Sequence, residues 1–327
     1  MRLKTRLTDR LGIEHPILLA PMGVMSGGRL AAAVSEAGGL GIIGGGYGDA
    51  DWLERQFAAA GDSRVGCGFI TWSMARDPAL LDQVLAKRPA ALMLSFGEVE
   101  PHASRIKAQG VPLICQVQGM TYLREAVDAG ADIIVAEGNE AGGHSGYRGL
   151  FTLVPEAADY LAKHSPDTLL VAAGGVGDGR GLAASLMLGA DGVLVGTRFI
   201  ACEESEAPQG FRQAIIDADG DATMKSNSVD VVRKRYWPNP EFVVRVLKND
   251  FVSKWHGHER EMEKAIDIEH ERFWSAFRAG DAGNSGVLMG EVSGMIQDAP
   301  PAAQIIEGMV AQACRLMGTH ASITVKP

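Results

Sequence analysis

A helix that ends on glycine and runs at once into a short β-branched stretch recurs along this chain, and that recurrence constrains the fold most. The segments EAGGLGIIGG (36–45), AQGVPLICQ (108–116), DAGADIIVAEG (128–138) and MLGADGVLVG (187–196) share it. Glycine supplies the C-cap that stops a helix, and the apolar run after it has the continuous character of a strand covered on both faces. Two further runs, AALMLSFG (90–97) and TLLVAAGG (168–175), enter from proline-containing turns. With PILLAPMG (16–23) and RVGCGFITW (64–72), the strands number eight. Helical stretches at 28–37, 51–60, 78–87, 101–109, 121–129, 153–164 and 179–188 separate them.

Alternating strands and helices imply a parallel sheet with helices on both faces. Eight units within 200 residues favour closure, so the expected fold is α/β, a (β/α)8 TIM barrel, rather than an open doubly wound sheet. After about Glu203 the rhythm stops. Residues 210–327 read as a mainly helical appendage, which divides the chain into a barrel at 1–209 and an appendage at 210–327 whose C-terminal end packs back on the barrel.

Composition narrows the class. The 327 residues are 46% hydrophobic and carry a formal charge of −9, with no clustered basic face of the kind nucleic acid requires. Cys67, Cys115, Cys202 and Cys314 are scattered and read as reduced residues of a cytosolic protein. The start, MRLKTRLTDRLGIEH, lacks the apolar run of a signal peptide, and no stretch reaches the length of a membrane span. The expectation is a cytoplasmic protein without membrane or nucleic-acid partners.

A barrel of this kind carries its chemistry at the C-terminal ends of its strands. There the sequence places Ala20 and Met22 after the first strand, Gln116 and Gln118 after the fifth, and Glu137 at the end of the sixth. Gly174 and Gly175 follow the seventh, and Gly196 and Thr197 the eighth. AAGGVGDGRG and VGTRF each put bare backbone N–H groups at a strand end before a helix. Two such loops on adjacent units make either a phosphate-binding nest or tight strand-to-helix turns; their joint occurrence favours the nest. GLGIIG (39–44) matches the dinucleotide fingerprint in letters only, because its middle is itself the strand. HGHE (256–259) lacks metal-ligand spacing and reads as a solvated helix face, so no metal site is expected.

The segment AEGNEAGGHSGYRG (136–149) is too long for a strand-to-helix turn and is expected to project over the barrel mouth. Gly142 and Gly143 would let backbone approach a planar ligand. His144 is the group there suited to proton transfer near neutrality, or else a histidine that holds the loop. Glu140 is either its partner or a helix-capping acid.

APM, EAGGLG, EAGGHSG, AAGGVGDGRG and GTRF, in that order, resemble the nitronate monooxygenase (2-nitropropane dioxygenase) family over at least residues 10–205. WHGHE and GEVSGMIQDAPPAAQII look like members of it too. The same skeleton is similar to the FMN-dependent enoyl-acyl-carrier-protein reductases. The resemblance implies FMN, its phosphate held by Gly174, Gly175, Gly196 and Thr197, its ring touched by Ala20 and Met22, with Gln116 near the pyrimidine end. It implies His144 as catalytic base, a small-molecule substrate and O2 as partners, and leaves a homodimer open. The implied activity is oxidation of alkyl nitronates or nitroalkanes to carbonyl compounds and nitrite. The alternatives are an NAD(P)H-dependent FMN reductase of enoyl thioesters or quinones, and a non-catalytic flavin-binding or scaffold barrel. Many members carry Asn after the third strand, where this chain reads GCGFITW.

Overall fold

The computed structural model describes residues 2–318; residues 319–327, which belong to the expected appendage, lie outside the described residues. Along the chain the strands are β1 (Ile17–Leu19), β2 (Ile42–Gly46), β3 (Gly66–Ile70), β4 (Leu92–Ser95), β5 (Leu113–Val117), β6 (Ile133–Glu137), β7 (Gly143–Ser145), β8 (Leu169–Ala173), β9 (Gly192–Val195), β10 (Thr223–Lys225) and β11 (Val243–Leu247). Eight of them form one parallel sheet in the order β1-β9-β8-β6-β5-β4-β3-β2. Leu40 joins its two ends: it donates to the Ile17 carbonyl at 3.0 Å and accepts from the Leu19 N–H at 2.9 Å. The fold is the expected (β/α)8 barrel, with β8 and β9 as its seventh and eighth strands.

Strand alternation sorts the side chains into two layers. Leu18, Ile42, Ile114, Ile133, Val135 and Val171 fill the barrel interior, while their neighbours Ile134 and Ala136 pack outward against the helices. Each buried aliphatic side chain of this size stabilises the fold by about 1.5–3 kcal/mol. The short helix Arg6–Leu11 adds Leu7 and Leu11 to the inner cluster, at the end where the strands begin. At the other end the inward parity continues past the apolar residues, to Gln116 and Gln118 beyond Ile114 and to Glu137 beyond Val135.

Two glycines of GLGIIG serve packing. A Cβ on Gly41 would collide with the backbone of Ala31, and one on Gly44 with the backbone of Gly23.

The chain after the barrel is mainly helical, as expected, but β10 and β11 interrupt it. They pair antiparallel with each other, and β11 pairs with β7, so His144 lies opposite Val244. The final helix, Ala302–Gly318, buries Ala302, Ile305, Ile306, Met309, Val310 and Ala313 at helical spacing. It lies on the helix Gly179–Met187, where Gln312 Oε1 accepts from the Gly179 N–H at 2.8 Å. No helix among the described residues is long and apolar enough to cross a membrane.

Candidate active site

β7 carries the segment 136–149 across the mouth and is held there by strand pairing to β11. His144 is buried, and its Nε2 lies 2.7 Å from Oδ2 of Asp230, itself buried on the helix Ser228–Val232. The imidazole stacks on Trp237 with ring centroids 3.5 Å apart at 17°. Burial lowers the His144 pKa below its ordinary value, while the hydrogen bond and charge of Asp230 oppose that shift. The carboxylate partner selects the tautomer with hydrogen on Nε2, which leaves the Nδ1 lone pair to accept a proton.

Glu140 is the helix-capping acid, not the partner of His144. Its Oε1 accepts from the Leu150 N–H at 3.1 Å, at the start of the helix Leu150–His164. Gly142 has a packing role beside the ligand contact expected of it. A Cβ there would lie 2.5 Å from the Gly290 nitrogen, so its bareness serves the packing of one chain segment on another. Gly143, at φ +79°, has only Leu288 nearby and faces open space.

Gln116, Gln118 and Glu137 meet at the mouth as their parity requires. Glu137 Oε2 accepts from Gln116 Nε2 at 2.9 Å and from Gln118 Nε2 at 3.0 Å. Burial pushes its pKa up to about 8, against the two amide donors and the charge of Lys225. The Lys225 ammonium donates to the carbonyls of Ser145 and Gly146, and burial lowers its pKa to about 8.

The two glycine loops lie on adjacent strands, β8 and β9. The N–H groups of Gly175, Val176, Gly196 and Thr197 find no acceptor among the described residues. Gly174 and Gly175 adopt φ +101° and +69°, a conformation that turns successive N–H groups to one side. Gly196 lies against Ala20 and Met22: a Cβ on it would stand 3.5 Å from Ala20 Cβ and 3.3 Å from the Met22 sulfur. The Met22 N–H donates to Ser26 Oγ at 2.6 Å, which fixes the turn after β1. Thr197 Oγ1 accepts from the Gly290 N–H at 3.0 Å, so its hydroxyl retains a proton to donate. A cradle of unsatisfied N–H groups beside a hydroxyl donor suits a phosphate.

Sequence reasoning missed Asp230, Lys225 and Trp237, all supplied from beyond the barrel. Asp230 had one readable signal: it is a lone acid in the apolar run SVDVV.

The pattern that defines nitronate monooxygenases matches residues 4–62 and 73–312. The chain belongs to the nitronate monooxygenase family. It is an oxidoreductase of that flavin-dependent family rather than a non-catalytic barrel. A nitronate monooxygenase of Metarhizium robertsii is 34% identical, across 89% of this chain and 88% of its own. The (3aS,4S,5R,7aS)-5-hydroxy-7a-methyl-1-oxo-octahydro-1H-indene-4-carboxyl-CoA dehydrogenase of Mycobacterium tuberculosis is 28% identical across 99% of both chains. Among solved structures, FabK from Thermotoga maritima is similar with a TM-score of 0.86 at 30% identity, covering 98% of this chain and 99% of its own. The family match skips residues 63–72, the segment that contains β3 and ends in GCGFITW, where the resemblance led one to expect Asn. Here it delivers Thr71 and Trp72 to the mouth.

Proposed function

We propose that this nitronate monooxygenase family member oxidises alkyl nitronates, and nitroalkanes after loss of their α proton, with O2 to carbonyl compounds and nitrite. The observation that carries the reading is the buried His144–Asp230 pair at 2.7 Å. A neutral imidazole beside a substrate removes a carbon-bound proton at Nδ1, and the adjacent carboxylate steadies the cation that results. Trp237, stacked on the ring, keeps that nitrogen aimed.

FMN is the flavin this reading requires, and when bound it supplies the electron transfer between substrate and O2. Gly174, Gly175, Gly196 and Thr197 would hold its phosphate through the N–H groups described above. Ala20 and Met22 would meet the ring, and Gln116, oriented by Glu137, would donate at its polar edge. Cytoplasmic residence belongs to the same reading, which is compatible with a monomer or a homodimer. Nitrite release matched by O2 uptake on a preformed nitronate tests it.

A second reading is an NAD(P)H-dependent FMN reductase. The full-length similarity to FabK and to a carboxyl-CoA dehydrogenase favours it. Anaerobic mixing with NADH separates the two: rapid flavin bleaching supports the reductase, and inertness supports the monooxygenase.

A further inference from the structure

Three arginines at the mouth stand over aromatic rings and have no acidic partner within ion-pair distance among the described residues. The Arg235 and Arg233 guanidiniums lie 4.5 and 5.5 Å from the Tyr47 ring centroid, and that of Arg76 lies 4.8 Å from the Trp72 centroid. Lys234, between Arg233 and Arg235 in sequence, is neutralised by Asp267 at 2.7 Å. The chain as a whole carries a net charge of −9, so these three cations on one aromatic wall run against its overall sign.

The rings beneath them lead to the catalytic base. Tyr47, Trp72 and Trp237 pack edge to face with centroids 5.6–6.4 Å apart, and Trp237 stacks on His144. Trp237 Nε1 donates to the Tyr47 hydroxyl at 3.2 Å, which fixes the wall. Two buried polar atoms on this wall, Thr71 Oγ1 and Trp72 Nε1, have no hydrogen-bond partner among the described residues. Both belong to the segment 63–72 that the family pattern skips. Tyr236, between Arg235 and Trp237, is 61% exposed and offers a ring face at the rim.

A single carboxylate needs one guanidinium. Arg233 and Arg235 share the Tyr47 ring, and Arg76 stands on Trp72, whose centroid is 5.8 Å from that of Tyr47. One wall thus carries three guanidinium forks that match the several oxygens and charges of a phosphoryl or pyrophosphoryl group, and the exposed Tyr236 next to Arg235 in sequence suits a stacked base. We propose that Arg76, Arg233 and Arg235 form a docking site for the pyrophosphate of a nucleotide-bearing substrate or co-substrate. Its reactive end reaches His144 along the Tyr47–Trp237 wall. A nicotinamide dinucleotide and a coenzyme A thioester share this chemistry, since each carries an ADP unit. The inference rests on the oxidoreductase reading only for where the reactive end lies.

Calorimetric titration of the holoenzyme with ADP, and with adenosine as the uncharged control, tests it. ADP is expected to bind at least about tenfold tighter than adenosine and to lose that advantage as NaCl is raised to about 0.5 M. The Arg233→Gln/Arg235→Gln pair is expected to abolish the advantage, and the Arg233→Lys/Arg235→Lys pair to retain part of it. Equal affinity for ADP and adenosine in the parent, or ADP affinity indifferent to both salt and the Gln pair, overturns the site. Two arms then identify the source. Anaerobic bleaching by NADH with a KM raised at least about tenfold in the Gln pair assigns the dinucleotide; crotonyl-CoA binding at least about tenfold tighter than crotonyl-pantetheine assigns the thioester. Because ADP binding is read without turnover, a protein that binds ADP yet oxidises no nitronate keeps the site and removes only the proposed reaction.

Discussion

Asp230, 86 residues after His144 in sequence, places its Oδ2 2.7 Å from the His144 Nε2 and so orients the ring that the sequence alone singled out. Burial lowers the His144 pKa and Asp230 resists that shift. The base is therefore neutral at and above neutral pH, and the rate falls as pH drops through a pKa below 6.5. Asp230→Asn removes the group that raises the pKa, so the acid limb of the kcat profile on a nitroalkane moves to lower pH. The amide can also present its NH2 to Nε2 and reverse the tautomer, with kcat expected to fall about 10²-fold. A pH–rate profile of the variant checks both effects.

Gly142 and Gly143 adjoin in sequence, yet substitution separates them. Gly142→Ala drives a methyl against the backbone of Met289 and Gly290 and is expected to cost about 3 kcal/mol of stability. Gly143→Ala meets open space and bears only the strain of a positive φ, about 1 kcal/mol. Denaturant midpoints of the two variants compared with the parent read this ordering directly.

Glu137 gives the stability curve a second pH dependence. Its folded-state pKa, raised from 4.5 to about 8, means the folded chain keeps a proton that the unfolded chain releases. Its contribution is fully present below the unfolded value and is lost as pH rises through the window up to about 8. Lys225, lowered from 10.5 to about 8, acts in the window above. Glu137→Gln keeps an oxygen for Gln116 and Gln118 but carries no titrating proton. Between about pH 5 and 8 the parent should lose more thermal stability than Glu137→Gln, by several degrees in Tm, as parallel melting curves would show.

Much of the barrel was legible because its signals are local. Glycine C-caps before apolar runs marked where strands begin, and inward parity carried Gln116 and Glu137 to the mouth where they meet. The rest depended on contacts between segments far apart in sequence. β10 and β11 are short and find their place only by pairing with β7, so no local periodicity announced them. Trp237 carried no local signal, and only its stacking on His144 gives it a place in the site. The packing of Met289 and Gly290 against Gly142 was not legible, because sequence shows that a side chain is absent, not which neighbour requires the space.

In the proposed reaction His144 removes the α proton. The most direct measurement of that step compares parent and His144→Ala, each loaded with FMN, on a neutral nitroalkane and on the preformed nitronate. His144→Ala is expected to keep its FMN content, to lose about 10²–10⁴-fold in kcat/KM on the nitroalkane, and to lose much less on the nitronate. Oxidation of the nitroalkane by His144→Ala at the parent rate would contradict it.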